Sequence, residues 1–195
     1  MASTSERYKD NLLALCDVTK EIIVHIQKQG IKTRLQPGII DFGSSIIESS
    51  SPESIIDGFI KRSHEYCVKY KIEDGSDPHP YVWEKIRNKE EDFLLNNLNT
   101  LFGELSKDTV ILFAELFSIT DSKGKLAVSS EKKEDMWSLL HGMVRICINY
   151  IHEKRKPGEI EKEINGEIIK TKGYTVTFYS DIKVKALTEK WNMNV

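Results

Sequence analysis

The longest apolar pattern in the chain lies between Ser130 and Pro157. At 100° per residue, its apolar residues cover an arc wider than the usual core-facing stripe of a helix. These residues are Met136, Trp137, Leu139, Leu140, Met143, Val144, Ile146, Cys147, Ile148, Tyr150 and Ile151. The pattern predicts a helix that is buried on most sides, with an N-cap at Ser129 or Ser130 and a stop at Pro157. We expect the other helices to pack around it.

A narrow polar strip remains on this central helix. It consists of Ser138, His141, Arg145, Asn149 and His152, whose spacing of three and four residues places them on one face. Two histidines and an arginine suit a phosphate or a carboxylate. The candidate ligand-binding residues are therefore His141, Arg145, Asn149 and His152. The simpler interpretation is that the strip is the solvent edge of a buried helix, because no partner nucleophile, acid or metal ligand is identifiable beside it.

A heptad-like seam near the N-terminus predicts a helix over residues 5–29. Its apolar positions alternate in steps of four and three, at Tyr8, Leu12, Leu15, Thr19, Ile22 and Ile26. Because a sustained coiled coil needs more heptads than these, we expect the helix to pack within its own domain and not to form a dimer. The pattern over residues 31–51 is weaker and predicts a break at Pro37-Gly38, with a short helix after it.

Three more helices complete the predicted helical domain, which spans residues 5–156. They cover residues 51–71, 80–102 and 106–117. Ser51 and Ser106 are the expected N-caps of the first and third, and Pro52 occupies a first helical position. The polar residues 73–80 predict the clearest loop of the chain.

The character of the chain changes after Pro157. Asn165-Gly166 lies between two β-capable segments, which is a strong signal for a hairpin. Residues 174–179 have the pattern of a third strand, and a last helix is expected to end near Trp191. The predicted fold is thus mainly α, a multi-helix bundle around one central buried helix, with a small β-hairpin or strand plus helix appendage over residues 157–195.

Charge bears on nucleic-acid binding. The formal net charge is −2, so the chain as a whole does not attract nucleic acid, and binding would need a local basic patch. The candidates for such a patch on the appendage are Lys170, Lys172, Lys183 and Lys185. Aromatic residues lie among these lysines, as in single-strand binding surfaces. Four glutamates of the same hairpin reduce the field, however, and favour a solvated surface of mixed charge.

Metal binding receives little support from the sequence. His64, Cys67 and His79 lie close together in the chain, but a structural zinc site needs a second pair of ligands, and none follows. The loop that starts at Asp121 resembles a calcium loop only superficially, since it carries lysines where oxygen ligands belong. We therefore expect no metal and no cofactor.

The cysteine pattern and the absence of targeting signals indicate a reducing cytoplasmic compartment. The chain contains three cysteines without paired spacing, at Cys16, Cys67 and Cys147. They are expected to be buried free thiols inside helices, as in proteins of a reducing environment. The N-terminal residues lack the pattern of a signal peptide, and the longest apolar stretch is too short to cross a bilayer. The predicted location is cytoplasmic, without membrane association.

Three stretches of the chain resemble an uncharacterised family of small helical proteins encoded by large nucleocytoplasmic DNA viruses. They are Tyr81-Val-Trp-Glu-Lys-Ile-Arg-Asn-Lys-Glu-Glu-Asp-Phe93, residues 101–110 with the following LFAELF, and residues 134–157. The resemblance extends over roughly residues 55–160 and consists of a pattern of helices and turns. It implies a protein of the infected cell, in the host cytoplasm or in the virion, and it supplies no functional residue.

No catalytic motif was identified, neither a nucleophile elbow nor a phosphate-binding loop, a dinucleotide fingerprint or a metalloprotease helix. The sequence therefore favours a non-enzymatic protein-interaction or structural protein that binds another protein or itself, with the edge of the predicted strand 174–179 as the first place for a partner. Nucleic-acid binding through the lysines is the alternative. Binding of a small ligand, or enzyme activity, on the polar strip is a third possibility.

Overall fold

The computed structural model describes residues 2–70, 81–103, 105–154, 158–164, 167–173 and 184–194. Nine helices and two strands lie within these ranges. The helices are α1 (Thr4–Lys28), α2 (Pro37–Ser49), α3 (Pro52–Lys69), α4 (Tyr81–Arg87), α5 (Glu91–Asn96), α6 (Leu98–Phe102), α7 (Lys107–Ser118), α8 (Ser130–Lys154) and α9 (Val184–Lys190), and the strands are β1 (Gly158–Ile164) and β2 (Glu167–Gly173). The mainly helical fold is confirmed, and the C-terminal elements agree with the predicted appendage.

Helices α1 and α8 form the centre of the molecule and pack along each other. All six positions of the α1 seam are buried, and α8 buries nine residues from Trp137 to Ile151. The Ser129 hydroxyl accepts the Lys132 N–H at 3.2 Å and caps α8 as predicted, while α1 begins with a capping box of Ser3 and Glu6 that was not predicted. Helices α2 and α3 pack on α1, while α4 and α9 pack on α8.

The hydrophobic core divides into two clusters. The larger one surrounds α8 and receives side chains from the first half of α1 and from α3, α4, α5, α6 and α9. The smaller one joins the second half of α1 to α2, α7 and Val128. Phe113 and Met136 contact both clusters. The two clusters thus meet along a seam that runs past α7 and the start of α8.

Two polar side chains of α3 hold helices of the larger cluster together by hydrogen bonds. The Ser63 hydroxyl is fully buried; it donates to the Phe59 carbonyl at 2.9 Å and accepts the Trp83 indole N–H at 3.1 Å. The Arg62 guanidinium donates to the carbonyls of Thr100 and Leu101 at 3.1 and 3.0 Å, at the C-terminal end of α6. These bonds fix α3 against α4 and α6, since an unpaired buried donor would destabilise the fold.

Two predictions about helix boundaries are corrected. The single helix expected over residues 80–102 is three short helices, because Lys89 adopts a positive φ of 55° and the Asn97 backbone leaves helical geometry. Neither position carries the glycine that would have signalled the interruption. Pro37, predicted to break the chain, instead begins α2, where its fixed φ is already helical and its missing N–H is not needed.

The strands β1 and β2 form an antiparallel hairpin. The register runs from Gly158 opposite Gly173 to Ile164 opposite Glu167, so the connection has two residues, as the Asn165-Gly166 signal predicts. The strands contact each other more extensively than they contact any described helix. The turn residues themselves, the third strand predicted over residues 174–179 and Lys183 lie outside the described residues.

Candidate functional site

The predicted polar strip of α8 is split by the fold. Only Arg145 and Asn149 line an open groove of about 510 Å³ between α1, α8 and the residues after α9. The lining residues are Arg7, Asp10, Asn11, Gly142, Arg145, Ile146, Asn149, Met193 and Asn194. His141 and His152 are not among them. Two of the four candidate ligand-binding residues therefore line this groove.

Gly142 allows α1 to approach α8 closely at the floor of this groove. A Cβ atom built on Gly142 would lie 2.7 Å from the Asn11 side-chain nitrogen, which is closer than van der Waals contact permits. No sequence pattern predicts this contact, because Asn11 and Gly142 are far apart in the chain and neither forms part of a motif. The residues that α1 contributes to the groove could be found only from the packing of the two helices.

The chemistry of the groove is weakly polar. Arg7, Arg145 and Asp10 are exposed, so water screens their charges and the net charge of one unit has little effect. Amide groups of Asn11 and Asn149 provide further hydrogen-bonding capacity. The described lining contains no histidine, cysteine or hydroxyl group that would act as nucleophile or general base. The lining thus offers hydrogen-bonding groups for a small polar ligand.

His141 has a structural role. Its Nε2 lies 2.9 Å from the Ile86 carbonyl oxygen at the end of α4, and its ring packs edge-on against Trp191 with centroids 5.6 Å apart. An ion pair between Lys190 and Glu84 at 3.0 Å links the same elements. His141 thus joins α4, α8 and α9. His152 is half-buried in the last turn of α8.

The described candidate nucleic-acid-binding lysines each have a glutamate at a neighbouring position. The hairpin register places Lys170 opposite Glu161 and Lys172 opposite Glu159. Lys185 on α9 is exposed and forms an ion pair of 3.9 Å with Glu189. Each described lysine of the set therefore has a glutamate beside it.

The three thiols and the Asp121 carboxylate have structural surroundings. Cys147 is fully buried, as predicted, whereas Cys16 and Cys67 are only half-buried, and all three thiols are free. Within the described ranges, no group of three or more histidine, cysteine or acidic side chains suits a metal ion. The Asp121 carboxylate accepts the backbone N–H groups of Lys123 and Lys125 at 2.8 and 2.9 Å, so it closes a turn.

An exposed apolar face on α2 is the feature that the sequence did not identify. Ile39, Phe42 and Ile46 are 37%, 70% and 51% exposed, and their spacing places them on one side of the helix. Ile40, on another side, is buried in the smaller cluster, and Ile47 packs inward as well. Helix α2 therefore has two apolar faces, of which one is covered by the protein itself.

The exposed face of α2 carries no charge. Asp41 forms an ion pair with Lys20 of α1, and helical spacing places Asp41 and Glu48 on the side opposite Ile39. Lys9 of α1 donates to the Glu48 carbonyl at 2.7 Å and so fixes the C-terminal end of α2. Small residues border the apolar face: Gly38, Gly43, Ser45 and Ser49. An approaching helix would meet side chains that are apolar or small.

We compared the chain with protein-family models, with curated proteins and with solved structures, and none of them matches. The viral resemblance therefore stays a prediction. Among the helices that the structure describes, none combines the length and the apolar character needed to cross a bilayer.

Proposed function

We propose that this protein is a non-enzymatic interaction protein and that the exposed face of α2, formed by Ile39, Phe42 and Ile46, is its docking surface. The observation that supports the proposal is the exposure of these three large apolar side chains on a helix whose other side is firmly packed. Contiguous exposed apolar side chains are costly in water and typically mark interaction sites.

The size of this surface indicates the kind of partner. Its three side chains expose about 300 Å² of apolar area, at the lower end of the range for the largest patch on a monomer. Two copies face to face would bury roughly 600 Å², about half of what a specific stable interface requires. A second copy alone is therefore too small an occupant. An amphipathic helix of a different protein, with its own apolar stripe and neighbouring contacts, fits better.

The lack of charge on the exposed face of α2 limits which residues a partner helix can present to it. Because the exposed face of α2 offers no charge to pair with, a partner helix with acidic or basic residues inside its apolar stripe would be rejected. Gly43 borders the three apolar side chains, and a Cβ there would meet no heavy atom within 4 Å. A partner backbone can approach closely at this point.

Two other functions have weaker support. Nucleic-acid binding needs a basic patch, and a glutamate accompanies each described lysine of the candidate set. Ligand binding on the α8 strip has support from two of its four residues, which line the groove, while the His141 Nε2 lies against the Ile86 carbonyl oxygen. The setting of the proposed interaction, the cytoplasm of an infected cell or the virion, rests on the sequence resemblance alone.

A photocrosslinking experiment tests the docking surface. A photoreactive phenylalanine analogue replaces Phe42 in one version of the chain and Ile111 in another, because Ile111 of α7 is also half-exposed. We expect crosslinks from position 42 to one amphipathic helix of a single partner. Phe42→Asp should abolish capture of that partner, and Ile111→Asp should preserve it. Equal capture by both aspartate variants would refute the proposal.

A further inference from the structure

The groove beside Gly142 receives an arginine and an asparagine from each of two helices. Helix α1 supplies Arg7 and Asn11, and α8 supplies Arg145 and Asn149. In both helices the two residues are four positions apart, so each asparagine lies one helical turn from its arginine on the same face. Two facing walls of the groove therefore carry the same pair of side chains.

The packing of the helices brings the two arginines to the same level of the groove. Helices α1 and α8 are antiparallel, because the first turn of α1 donates a hydrogen bond to the last turn of α8. Gly142 lies beside Asn11. One helical turn further along, Arg7 comes level with Ile146, which is the neighbour of Arg145 in the chain. The two guanidinium groups can therefore approach one ligand from opposite walls.

The polar side chains of the groove keep their hydrogen-bonding groups available. Among the residues that the structure describes, Arg7, Asp10, Asn11, Arg145 and Asn149 have no side-chain hydrogen bond and no ion pair. Other cations at contacts between helices are paired with acids, as in the ion pairs Lys20–Asp41, Lys132–Glu21, Lys133–Glu91 and Lys190–Glu84. The two arginines of the groove thus differ from the cations at these other contacts.

Hydrogen-bond donors outnumber acceptors in the groove. Two guanidinium and two amide groups donate, whereas only the amide oxygens and the Asp10 carboxylate accept. A planar guanidinium binds a carboxylate or a phosphate through two parallel N–H···O bonds. Because Arg7 and Arg145 are exposed, water screens their long-range attraction, and affinity must come from these direct bonds. The groove therefore suits an oxyanion that is held weakly.

The size of the groove fits a small molecule. Its volume of about 510 Å³ lies within the range of roughly 300–1,000 Å³ that is usual for small-molecule sites. Arg145 is the only exposed residue of α8 between positions 140 and 151, so this opening gives solvent access to the middle of the helix. Ile146, which is buried, and Met193, which is half-buried, provide apolar surface beside the polar groups.

We propose that this groove binds the carboxylate or phosphate group of a small molecule between Arg7 and Arg145. Asn11 and Asn149 donate to the same oxygens or to a neighbouring hydroxyl group of the ligand. The groove shares no residue with the exposed face of α2, and a failure of either proposal leaves the other standing.

The test titrates the full chain with inorganic phosphate and with malonate at constant ionic strength, and heteronuclear NMR follows the backbone amides. We expect saturable shifts at Gly142 and Arg145 in the millimolar range with at least one probe, and none with glycerol, which is uncharged. The probe that binds more tightly identifies the oxyanion that the site prefers.

Substitutions of exposed residues assign the binding to the groove. Arg7→Gln and Arg145→Gln should each weaken binding at least about fivefold, because each removes a charged pair of donors. Arg87→Gln makes the same change of charge at an exposed arginine at the end of α4 and should leave the affinity unchanged. Asp10→Asn removes the negative charge of the groove and should strengthen binding. The melting temperature without ligand should stay the same in all four variants.

Three results would overturn the proposal. The first is the absence of saturable shifts with both phosphate and malonate. The second is equal weakening by Arg145→Gln and Arg87→Gln, since the net charge of the chain would then govern binding. The third is weaker binding by Asp10→Asn, which would mean that the ligand presents donors and not an oxyanion to the groove.

Discussion

Helices α2 and α8 are similarly rich in apolar residues, yet they are buried to very different extents. Helix α8 packs against α1, α4 and α9, and most of its apolar arc is inaccessible to water. Helix α2 packs chiefly against α1 and leaves Phe42 and Ile46 more than half exposed. Burial is therefore determined by the neighbours that the fold supplies. The apolar face of a helix without such neighbours is where we look for function.

The largest expected difference between the two helices is in stability. Trp137→Ala on α8 should lower the free energy of unfolding by about 3–5 kcal/mol, because it removes a large buried side chain beside an existing cavity. Phe42→Ala on α2 should change it by less than about 0.5 kcal/mol. Urea denaturation followed by circular dichroism measures both. Similar losses for the two variants would show that the face of α2 is covered in solution.

Helical periodicity explains how much of the fold the sequence predicts. The seam from Tyr8 to Ile26 is buried as predicted, because a helix with one buried face must repeat apolar residues every three or four positions. The same reasoning identifies α8, together with its cap at Ser129. These features depend on residues close in the chain, and the sequence alone is enough to find them.

Features that depend on distant contacts were not predicted. Periodicity predicts that Ile39 and Ile40 lie in a helix. Ile40 is the buried one because it packs in the cluster that α1 and α7 also form. Asn11 joins the groove beside Arg145 only because Gly142 lets α1 approach. His141 was a candidate ligand-binding residue beside Arg145, yet its Nε2 lies 2.9 Å from the Ile86 carbonyl oxygen at the end of α4. No local pattern encodes these pairings.

The buried side of α8 should also make stability depend on alkaline pH. Burial, and to a smaller extent the nearby Asp57 carboxylate, raise the pKa of the Cys147 thiol well above its ordinary value of 9.0. The unfolded chain then loses this proton at lower pH than the folded chain. The protonated Cys147 thiol therefore contributes to the free energy of unfolding, and this contribution is fully present below pH 9. It is lost as pH rises toward the folded-state pKa, at up to about 1.4 kcal/mol per pH unit.

Comparison with Cys147→Ala isolates this contribution. The free energy of unfolding of the variant should fall less steeply above pH 9 than that of the wild type, although burial raises the pKa of Tyr8 as well and leaves a residual slope. Chemical denaturation at several pH values between 8 and 10.5 measures the two slopes. Parallel slopes would mean that the Cys147 thiol is accessible in the folded state.

Glycines provide a smaller contrast between the helices. Gly43→Ala on α2 should stabilise the protein by about 0.5–1 kcal/mol, because alanine favours the helix and a Cβ there meets no atom within 4 Å. Gly142→Ala on α8 should stabilise the protein less, since the Asn11 amide must move away from the new methyl group. The double variant Asn11→Ala/Gly142→Ala removes that amide and should restore the helix-propensity part of the gain. A larger gain for Gly142→Ala than for Gly43→Ala would contradict the close approach of α1 and α8.

The smallest change in stability is expected for substitutions on the exposed face of α2, and a substitution on its buried face provides the comparison. The double variant Phe42→Ser/Ile46→Ser should leave the free energy of unfolding within about 0.5 kcal/mol of the wild type, because both side chains are already largely in water. Ile40→Ser, on the buried face, should lower it by more than about 2 kcal/mol, since a core side chain is lost and a hydroxyl is buried. Thermal and urea unfolding at low protein concentration give both values. If the double variant were as unstable as Ile40→Ser, the exposed face would contribute to the fold itself, and its availability to a partner helix would have to be abandoned.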